Sequence, residues 1–339
     1  MKAVSFYKPL PITDSESLVD ITLARPVPGP RDLLVEVRAI SVNPIDTKIR
    51  AGAGPRGAHD VSKLLGWDAA GIVVGVGSDV KQFAPGDAVY YAGALDRSGT
   101  YGEFHVVDER LAGRKPASIG FAEAAALPLT AITAWELLFD RMKVPWEKSL
   151  TGSLLIIGGA GGVGSIATQL ARALTGLTVI ATASRPDTQA WCCEMGAQHV
   201  VDHRQPLAAQ VKAVAPGGVN YVLSLTKTEA HYEQIIESMA PQSALGLIEN
   251  VAAPLDINQL KPKCISLHWE FMFARARYQT SDMAEQGALL NEVSKLVDAG
   301  KVRTTLRENL GVINAANLKR AHALLESGKA IGKVVLAGF

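Results

Sequence analysis

The chain has few cysteines, little net charge and no long apolar run. Its 339 residues include only three cysteines, Cys192, Cys193 and Cys264, two of which are adjacent. Such spacing cannot build a disulfide framework or a set of metal ligands, so we expect reduced, structural thiols. The formal net charge is only +1, which gives no reason to expect a nucleic-acid partner or an anionic membrane surface.

Targeting and membrane signals are also missing. The first 20 residues, MKAVSFYKPLPITDSESLVD, lack the uncharged apolar segment of a signal peptide, and no other run approaches the length of a membrane span. We therefore expect a cytoplasmic protein without a membrane partner. The length allows two domains of ordinary size.

A glycine cluster stands at a predicted strand-to-helix junction. Residues 153–174 read SLLIIGGAGGVGSIATQLARAL, with an apolar run of strand character before the glycines. Behind them, apolar residues recur with the period of an amphipathic helix. Gly159, Gly161 and Gly164 fit the G-x-G-x-x-G pattern, which turns the chain tightly, lets a pyrophosphate approach and packs the helix on the sheet. The cluster predicts a dinucleotide site.

The segments after the cluster alternate in character. Strand patterns at 177–183, 199–202, 220–226 and 244–250 are separated by helix patterns at 186–196, 206–214 and 228–240. This βαβαβαβ order predicts an α/β fold with a doubly wound parallel sheet.

The chain before the cluster has the character of a barrel-like β domain. Residues 32–44 alternate apolar and polar side chains as a half-buried strand does, and further strands are predicted at 69–80 and 85–91. Near the C-terminus, a helix predicted at 281–299 and a strand at 332–336 would return the chain to this first domain.

Five motifs resemble the medium-chain dehydrogenase/reductase superfamily in order and spacing, particularly its quinone oxidoreductase-like and zinc-type alcohol dehydrogenase-like members. They are NPIDTKIRAG (43–52), LGWDAAGIVVGVGSDV (65–80), FAPGDAV (83–89), AAALPLTAITAWELL (124–138) and GGAGGVG (158–164). The resemblance covers essentially the whole chain. It implies a GroES-like catalytic domain (1–127 and 306–339), an inserted Rossmann NADP-binding domain (128–305) and a homodimer.

The residues about 20 positions after the glycines favour NADPH. NAD-specific sites place an acidic residue there to bind the ribose 2′-hydroxyl, whereas this chain has Ser184 and Arg185, which can donate to a 2′-phosphate. By resemblance His203 also faces the phosphate, while Asp187 suits the first turn of a helix. Alternatively, Arg185 is a solvated surface side chain. The further cofactor contacts that the resemblance implies are Thr130, Gly159, Gly161, Gly162, Val163, Gly164, Leu225 and Ile248.

The resemblance also implies that the zinc site has been lost. Zinc-dependent relatives use an early cysteine, the histidine of a GHE motif and a later ligand, in a tetrahedron with one open position. At the first two positions this chain has Asn43 and Trp67, and neither can replace a thiolate or an imidazole. We expect no metal.

Three residues are candidates for the catalytic face. Asn43 is expected to position the nicotinamide or bind the substrate oxygen, Asp46 to act there or to hold its loop through backbone hydrogen bonds, and Trp67 to line the pocket or to pack. Residues 266–273, SLHWEFMF, form either a strand at a dimer edge or a part of the substrate pocket that contains His268 or Trp269, where His268 would donate a proton. The loops at 54–64 and 93–100 are expected to shape the pocket.

Together these features predict a zinc-independent oxidoreductase that transfers hydride from NADPH to a quinone or an α,β-unsaturated carbonyl compound. Two alternatives stay open. One is a zinc-type alcohol dehydrogenase acting on simple alcohols or aldehydes, and the other is a non-catalytic NADPH-binding protein.

Overall fold

The computed structural model describes residues 1–53 and 64–339, so the predicted pocket loop at 54–64 lies, except for Leu64, outside the described residues. The described chain forms two compact units. The discontinuous unit comprises Met1–Leu129 and Phe273–Phe339, and the inserted unit comprises Thr130–Met272. In the described ranges, no helix is long and apolar enough to cross a membrane.

The elements follow one another in the chain as strands β1–β15 and helices α1–α10. Up to the inserted unit they are β1 (Lys2–Ser5), β2 (Val19–Thr22), β3 (Asp32–Val42), α1 (Pro44–Lys48), β4 (Asp68–Val76), β5 (Ala88–Ala92), β6 (Phe104–Asp108), β7 (Ala112–Arg114) and α2 (Phe121–Ala125), and α3 (Pro128–Trp135) crosses into that unit. The inserted unit continues with β8 (Ser153–Ile157), α4 (Gly162–Leu174), β9 (Thr178–Thr182), α5 (Pro186–Glu194), β10 (His199–Val201), α6 (Leu207–Val214), β11 (Val219–Ser224), α7 (Thr228–Ser238), β12 (Met239–Leu247) and β13 (Ser266–Trp269). The chain ends with α8 (Ala274–Tyr278), α9 (Glu285–Asp298), β14 (Leu306–Asn309), α10 (Ala315–Glu326) and β15 (Lys333–Ala337).

The inserted unit is built on a six-stranded sheet in the order β10-β9-β8-β11-β12-β13, with every neighbouring pair parallel. The α/β fold class and the doubly wound sheet are therefore confirmed. β8 is buried along its whole length, as expected of a central strand covered on both faces. From β8 the chain adds β9 and β10 on one side of the sheet and then β11 to β13 on the other, so the strand order reverses between β8 and β11. In sheets of this type, ligands bind at this position, outside the carboxyl ends of the strands.

The discontinuous unit contains a seven-stranded, mainly antiparallel sheet in the order β14-β15-β3-β4-β5-β7, with β6 also paired to β3. β3 was predicted to be half-buried, but only Arg38 along it is exposed. The reason is that β3 pairs with three strands, β4, β6 and β15. As expected, the C-terminal strand returns to this unit, with Val335 opposite Ser41.

The contacts of helix α9 assign it to the discontinuous unit. The sequence analysis instead included it in the predicted Rossmann domain, 128–305. The Tyr90 hydroxyl donates to the Leu290 carbonyl at 2.5 Å, and Gln286 Nε2 donates to the Ala92 carbonyl at 3.1 Å. α9 thus packs on β5, and the compact units divide at Met272 instead.

All three cysteines are free, in agreement with the expectation of reduced thiols. Cys192 is buried in α5, and burial raises the pKa of its thiol to about 12. Cys193 and Cys264 are exposed, so a packing role fits Cys192 alone.

Candidate active site

The chain leaves β8 through a turn that only glycine adopts without strain. Gly158 has φ +84°, in the left-handed region that costs a residue with a Cβ atom. Its N–H donates to the Thr182 hydroxyl at 3.0 Å, which ties the turn to the end of β9. The predicted triplet began one residue later and missed Gly158, although it is the first glycine after the strand.

The three predicted glycines differ in what surrounds them. A Cβ atom on Gly159 would lie 2.7 Å from Ala181 Cβ, and one on Gly164 would lie 2.4 Å from the Gly158 oxygen. At Gly161 the nearest atom would be the Gly158 oxygen at 3.5 Å, an ordinary contact. Protein packing therefore requires glycine at the first and third positions. The second has room for an approaching ligand, which fits the role of that glycine toward a pyrophosphate.

The N-terminus of α4 fits an anion as well. Gly161 is the N-cap residue and offers no side chain to the helix end. Gly162 and Val163 begin the helix and are half-buried. The first turn contains no acidic residue, and its N–H groups have no intrahelical acceptor. These groups together form the arrangement that binds phosphates at helix N-termini.

Ser184 and Arg185 follow the end of β9 and are half-buried. Arg185 is the N-cap residue of α5, and its N–H donates to the Thr188 hydroxyl at 3.1 Å. Its Nε lies 3.4 Å from Asp187 Oδ1. Asp187 also accepts from the Thr188 N–H at 2.8 Å, so this carboxylate serves the first helical turn, as the sequence indicated.

A second arginine, which sequence reasoning missed, lies beside Ser184. Arg204 Nη2 donates to the Ser184 carbonyl and lies 2.8 Å from Asp202 Oδ2. Arg204 directly follows His203 after β10. Its position next to a predicted phosphate-facing residue was the available signal.

His203 is half-buried in the same cation-rich region. Burial lowers the pKa of its imidazole, Asp202 opposes this shift, and the charges of Arg204, Lys227 and Arg185 add to it. Two of these cations are paired with carboxylates, Arg185 with Asp187 and Arg204 with Asp202. A net positive charge remains at this edge, which suits an anionic ligand.

Leu225 and Ile248 directly follow β11 and β12. Leu225 is buried and its N–H donates to the Ile157 carbonyl at 3.3 Å, while Ile248 is half-buried. They lie at the carboxyl edge that also holds the glycine turn and Ser184. Thr130 is buried in α3 and follows none of these strands.

In the discontinuous unit, Asn43 belongs to a buried polar cluster. Its Nδ2 donates to Asp68 Oδ2 at 2.8 Å, and its Oδ1 accepts from Lys333 Nζ. Lys333 Nζ also lies 3.0 Å from Asp68 Oδ2, and the Ser41 hydroxyl donates to the same oxygen at 2.6 Å. Asn43 is only 1% exposed, so its amide is engaged inside the protein. Asp68 and Lys333 were not predicted.

Asp46 is fully buried in a second polar chain. Its Oδ2 accepts from the Asn43 N–H at 2.8 Å and from the Tyr101 hydroxyl at 3.0 Å. The Tyr101 hydroxyl lies 3.1 Å from His322 Nε2. Burial raises the pKa of Asp46 to about 7 despite these hydrogen bonds. The bond from the Asn43 N–H is the one that the loop-holding interpretation predicts.

Trp67 is 3% exposed, and its indole N–H donates to the Ala94 carbonyl at 3.2 Å. Its ring packs edge-on against Phe273, with centroids 6.0 Å apart. These contacts are those of a packing residue. Among residues 1–53 and 64–339, no group of three or more His, Cys, Asp or Glu side chains could hold a metal ion.

The first half of the aromatic segment, Ser266–Trp269, forms β13, the edge strand of the inserted sheet. His268 Nε2 lies 3.0 Å from the Ser266 hydroxyl. Glu270 is buried, and its Oε2 lies 2.9 Å from Arg141 Nε. Arg141 Nη2 also lies 3.0 Å from Glu136 Oε2, so one guanidinium bridges two buried carboxyl groups.

Comparison with known proteins identifies the family. An alcohol dehydrogenase GroES-like domain model matches residues 29–136, and a zinc-binding dehydrogenase model matches residues 195–336. A zinc-type alcohol dehydrogenase-like protein of Staphylococcus aureus is 39% identical over 338 residues, which are 99% of each chain. The chain belongs to the medium-chain dehydrogenase/reductase superfamily.

Solved structures agree with this assignment. A candidate zinc-dependent alcohol dehydrogenase from Rhizobium etli is 55% identical with a TM-score of 0.94, over 100% of this chain and 98% of that one. The quinone oxidoreductase of Escherichia coli, complexed with NADPH, is 26% identical with a TM-score of 0.82, over 99% and 100%. This medium-chain dehydrogenase/reductase is therefore an oxidoreductase with a GroES-like part and a Rossmann sheet.

Proposed function

We propose that this protein is an NADPH-dependent reductase of quinones or α,β-unsaturated carbonyl compounds that works without zinc. The observation behind the proposal is the carboxyl edge of the inserted sheet. There a glycine turn that fits a pyrophosphate lies beside Ser184, Arg185 and Arg204, and β9 ends without an acidic residue.

The charges at this edge support NADPH over NADH. A 2′-phosphate placed between Arg185, Arg204 and His203 would gain charge-assisted hydrogen bonds, each contributing about 1.5 to 3 kcal/mol. One such bond changes affinity by about tenfold to a hundredfold. The ribose hydroxyl of NADH carries no charge for Arg185 and Arg204 to neutralise, and this site lacks the carboxylate that NAD-specific sites offer to that hydroxyl.

The buried cluster around Asn43 supports a reaction without zinc. By resemblance, Asn43 stands where zinc-dependent relatives have their first cysteine. Here the amide bonds to Lys333, whose ammonium group is itself paired with Asp68. A buried ammonium in this position would repel a divalent cation and occupies the acceptors that could bind one. Asn43 and Asp46 are then positioning residues, held within the protein interior.

The chemistry follows from the cofactor. When bound, NADPH supplies a hydride, for which a conjugated carbonyl compound or a quinone is a suitable acceptor. Thr130, Leu225 and Ile248 are proposed to position the nicotinamide. The α4 N-terminus would hold the pyrophosphate, and Arg185, Arg204 and His203 would hold the 2′-phosphate. Negative charge that develops on the substrate oxygen would be stabilised by fixed hydrogen-bond donors.

A zinc-dependent alcohol dehydrogenase is the second candidate, favoured by the description of the Rhizobium etli structure. A screen of NADPH consumption over quinones, enones, enals and simple aldehydes separates the candidates, with metal content measured in the same preparation. If the proposal is correct, the metal-free protein should consume NADPH with quinones or enones. Turnover of simple aldehydes that depends on stoichiometric zinc would favour the second candidate, and NADPH binding without any turnover would favour a non-catalytic protein.

The proposal includes a cytoplasmic homodimer formed along β13. Trp269 and Phe271, at and just after the end of this edge strand, are 49% and 43% exposed. Large apolar side chains beside an unpaired strand edge favour association. Light scattering should give twice the mass of one chain, and a Trp269→Asp variant should shift the protein toward the monomer.

A further inference from the structure

A histidine pair lies at the carboxyl edge of the inserted sheet, near Arg185 and Arg204, the cations proposed to bind the 2′-phosphate. His203 follows β10, and His231 lies in the first turns of α7. Their ring centroids are 5.8 Å apart with an interplanar angle of 64°, and both residues are half-buried. The loop after β10 and the start of helix α7 thus bring two titratable side chains together.

We propose that His203 and His231 accept protons together when the 2′-phosphate of NADPH binds, so that NADPH but not NADH is bound with proton uptake. The inference rests on the proposed function, because it needs the phosphate to occupy this edge. It adds His231 to the cofactor site and makes selectivity for the phosphorylated cofactor dependent on pH.

The surroundings hold the pair neutral before a ligand arrives. Burial lowers the pKa of both imidazoles, and the charges of His203 and Lys227 add to the shift of His231. Arg185, Arg204 and Lys227 act on His203 together with the carboxylate of Asp202. Asp202 is paired with Arg204, and Asp187 with Arg185, so three cations and two carboxylates leave one formal positive charge. The free site is therefore short of negative charge.

A bound phosphate would reverse this balance. Its negative charge favours the imidazolium form of a neighbouring histidine, and an imidazolium has two N–H donors where the neutral ring has one. Because the rings are adjacent, their titrations are coupled, and the two protons are taken up in steps that belong to the pair rather than to one ring. The pKa of the pair then rises on binding.

The sign of the pH dependence follows by linkage. Between the lowered pKa of the free pair and the raised pKa of the complex, each proton taken up strengthens NADPH binding about tenfold per unit of falling pH. At higher pH the pair is neutral in both states and this dependence disappears. NADH brings no charge to the pair, so its affinity should change little over the same range.

Isothermal titration calorimetry near neutral pH, in two buffers of different ionisation enthalpy, measures the protons exchanged. We expect net uptake with NADPH and about none with NADH. His203→Gln and His231→Gln should each reduce the uptake, and the double variant should lose the whole histidine contribution, leaving only the proton change of the phosphate itself. His199→Gln is the matched control, because His199 is an exposed histidine on β10. Titration of the phosphate itself persists in every variant, so differences between proteins isolate the histidines.

The outcomes separate this inference from the cofactor proposal. Preferential NADPH binding with the same proton uptake in the double variant would overturn the histidine pair and leave the cofactor assignment intact. Equal affinities for NADPH and NADH would overturn both. The ring-proton signals of the histidines in NMR titrations give a second readout, because two of them should shift their titration to higher pH only with NADPH.

Discussion

Lys333, on the last strand of the chain, neutralises Asp68 in the interior of the discontinuous unit, with Nζ 3.0 Å from Oδ2. The two side chains are 3% and 0% exposed. The second carboxylate oxygen of Asp68 accepts from the Leu129 N–H at 2.7 Å. A strand from the C-terminus is thus joined to β4 and to the start of α3.

Replacing Lys333 by Met should destabilise this unit strongly. The substitution leaves the buried carboxylate of Asp68 without its cation, which costs about 3 to 5 kcal/mol. The midpoint of chemical unfolding should fall accordingly. In the double variant Lys333→Met/Asp68→Leu the uncompensated charge is gone, so part of the loss should be recovered. A single variant as stable as the natural protein would show that the pair is not the stabilising contact.

This pair also shows where prediction from sequence ends. Lys333 and Asp68 are 265 residues apart in the chain, and no local pattern connects them. The glycine turn, by contrast, was predictable because strand, turn and helix are consecutive and each has its own period. Arg204 and His231 fall between these cases, since their neighbours in space follow different strands of a predictable sheet.

The cofactor assignment predicts a selective effect at Arg185 and Arg204. Alanine at either position should weaken NADPH binding about tenfold to a hundredfold by removing a charge-assisted bond, and should leave NADH binding nearly unchanged. Titration of cofactor fluorescence measures both affinities. Arg172→Ala, on α4 away from its N-terminus, serves as the control. An equal loss for both cofactors would mean that the arginines do not contact the 2′-phosphate.

The absence of a metal requirement can be tested directly. Because Asn43 and Trp67 are engaged in buried contacts with Asp68, Lys333 and Ala94, we expect chelators to leave the NADPH-dependent activity unchanged. Elemental analysis of the purified protein should find no stoichiometric zinc. Loss of activity on chelation, restored by zinc, would falsify the metal-free mechanism.

The carboxyl pair near β13 predicts a pH effect on stability. Burial and the neighbouring Glu136 raise the pKa of Glu270 to about 9, well above its value in the unfolded chain. Protonated Glu270 therefore contributes its full share to the free energy of unfolding at low pH, and this contribution is lost as the pH rises toward 9. Glu270→Gln keeps the neutral shape, so its stability relative to the natural protein should rise with pH, by at most about 1.4 kcal/mol per unit. Thermal unfolding across this range measures it; parallel pH profiles would contradict the raised pKa of Glu270.

The glycine cluster offers the sharpest separation of binding from folding, because two of its members have opposite surroundings. Gly161→Ala adds a methyl group whose nearest neighbour is 3.5 Å away, at φ −75°, so the fold should be unaffected. The methyl group would instead stand where the backbone must approach a pyrophosphate, and NADPH and NADH should both bind more weakly. Gly164→Ala places a methyl group 2.4 Å from a carbonyl oxygen, so it should lower the unfolding midpoint by forcing α4 away from the turn. Unfolding curves and cofactor titrations on both variants provide the comparison. If Gly161→Ala bound both cofactors as tightly as the natural protein, the pyrophosphate would not lie against this turn.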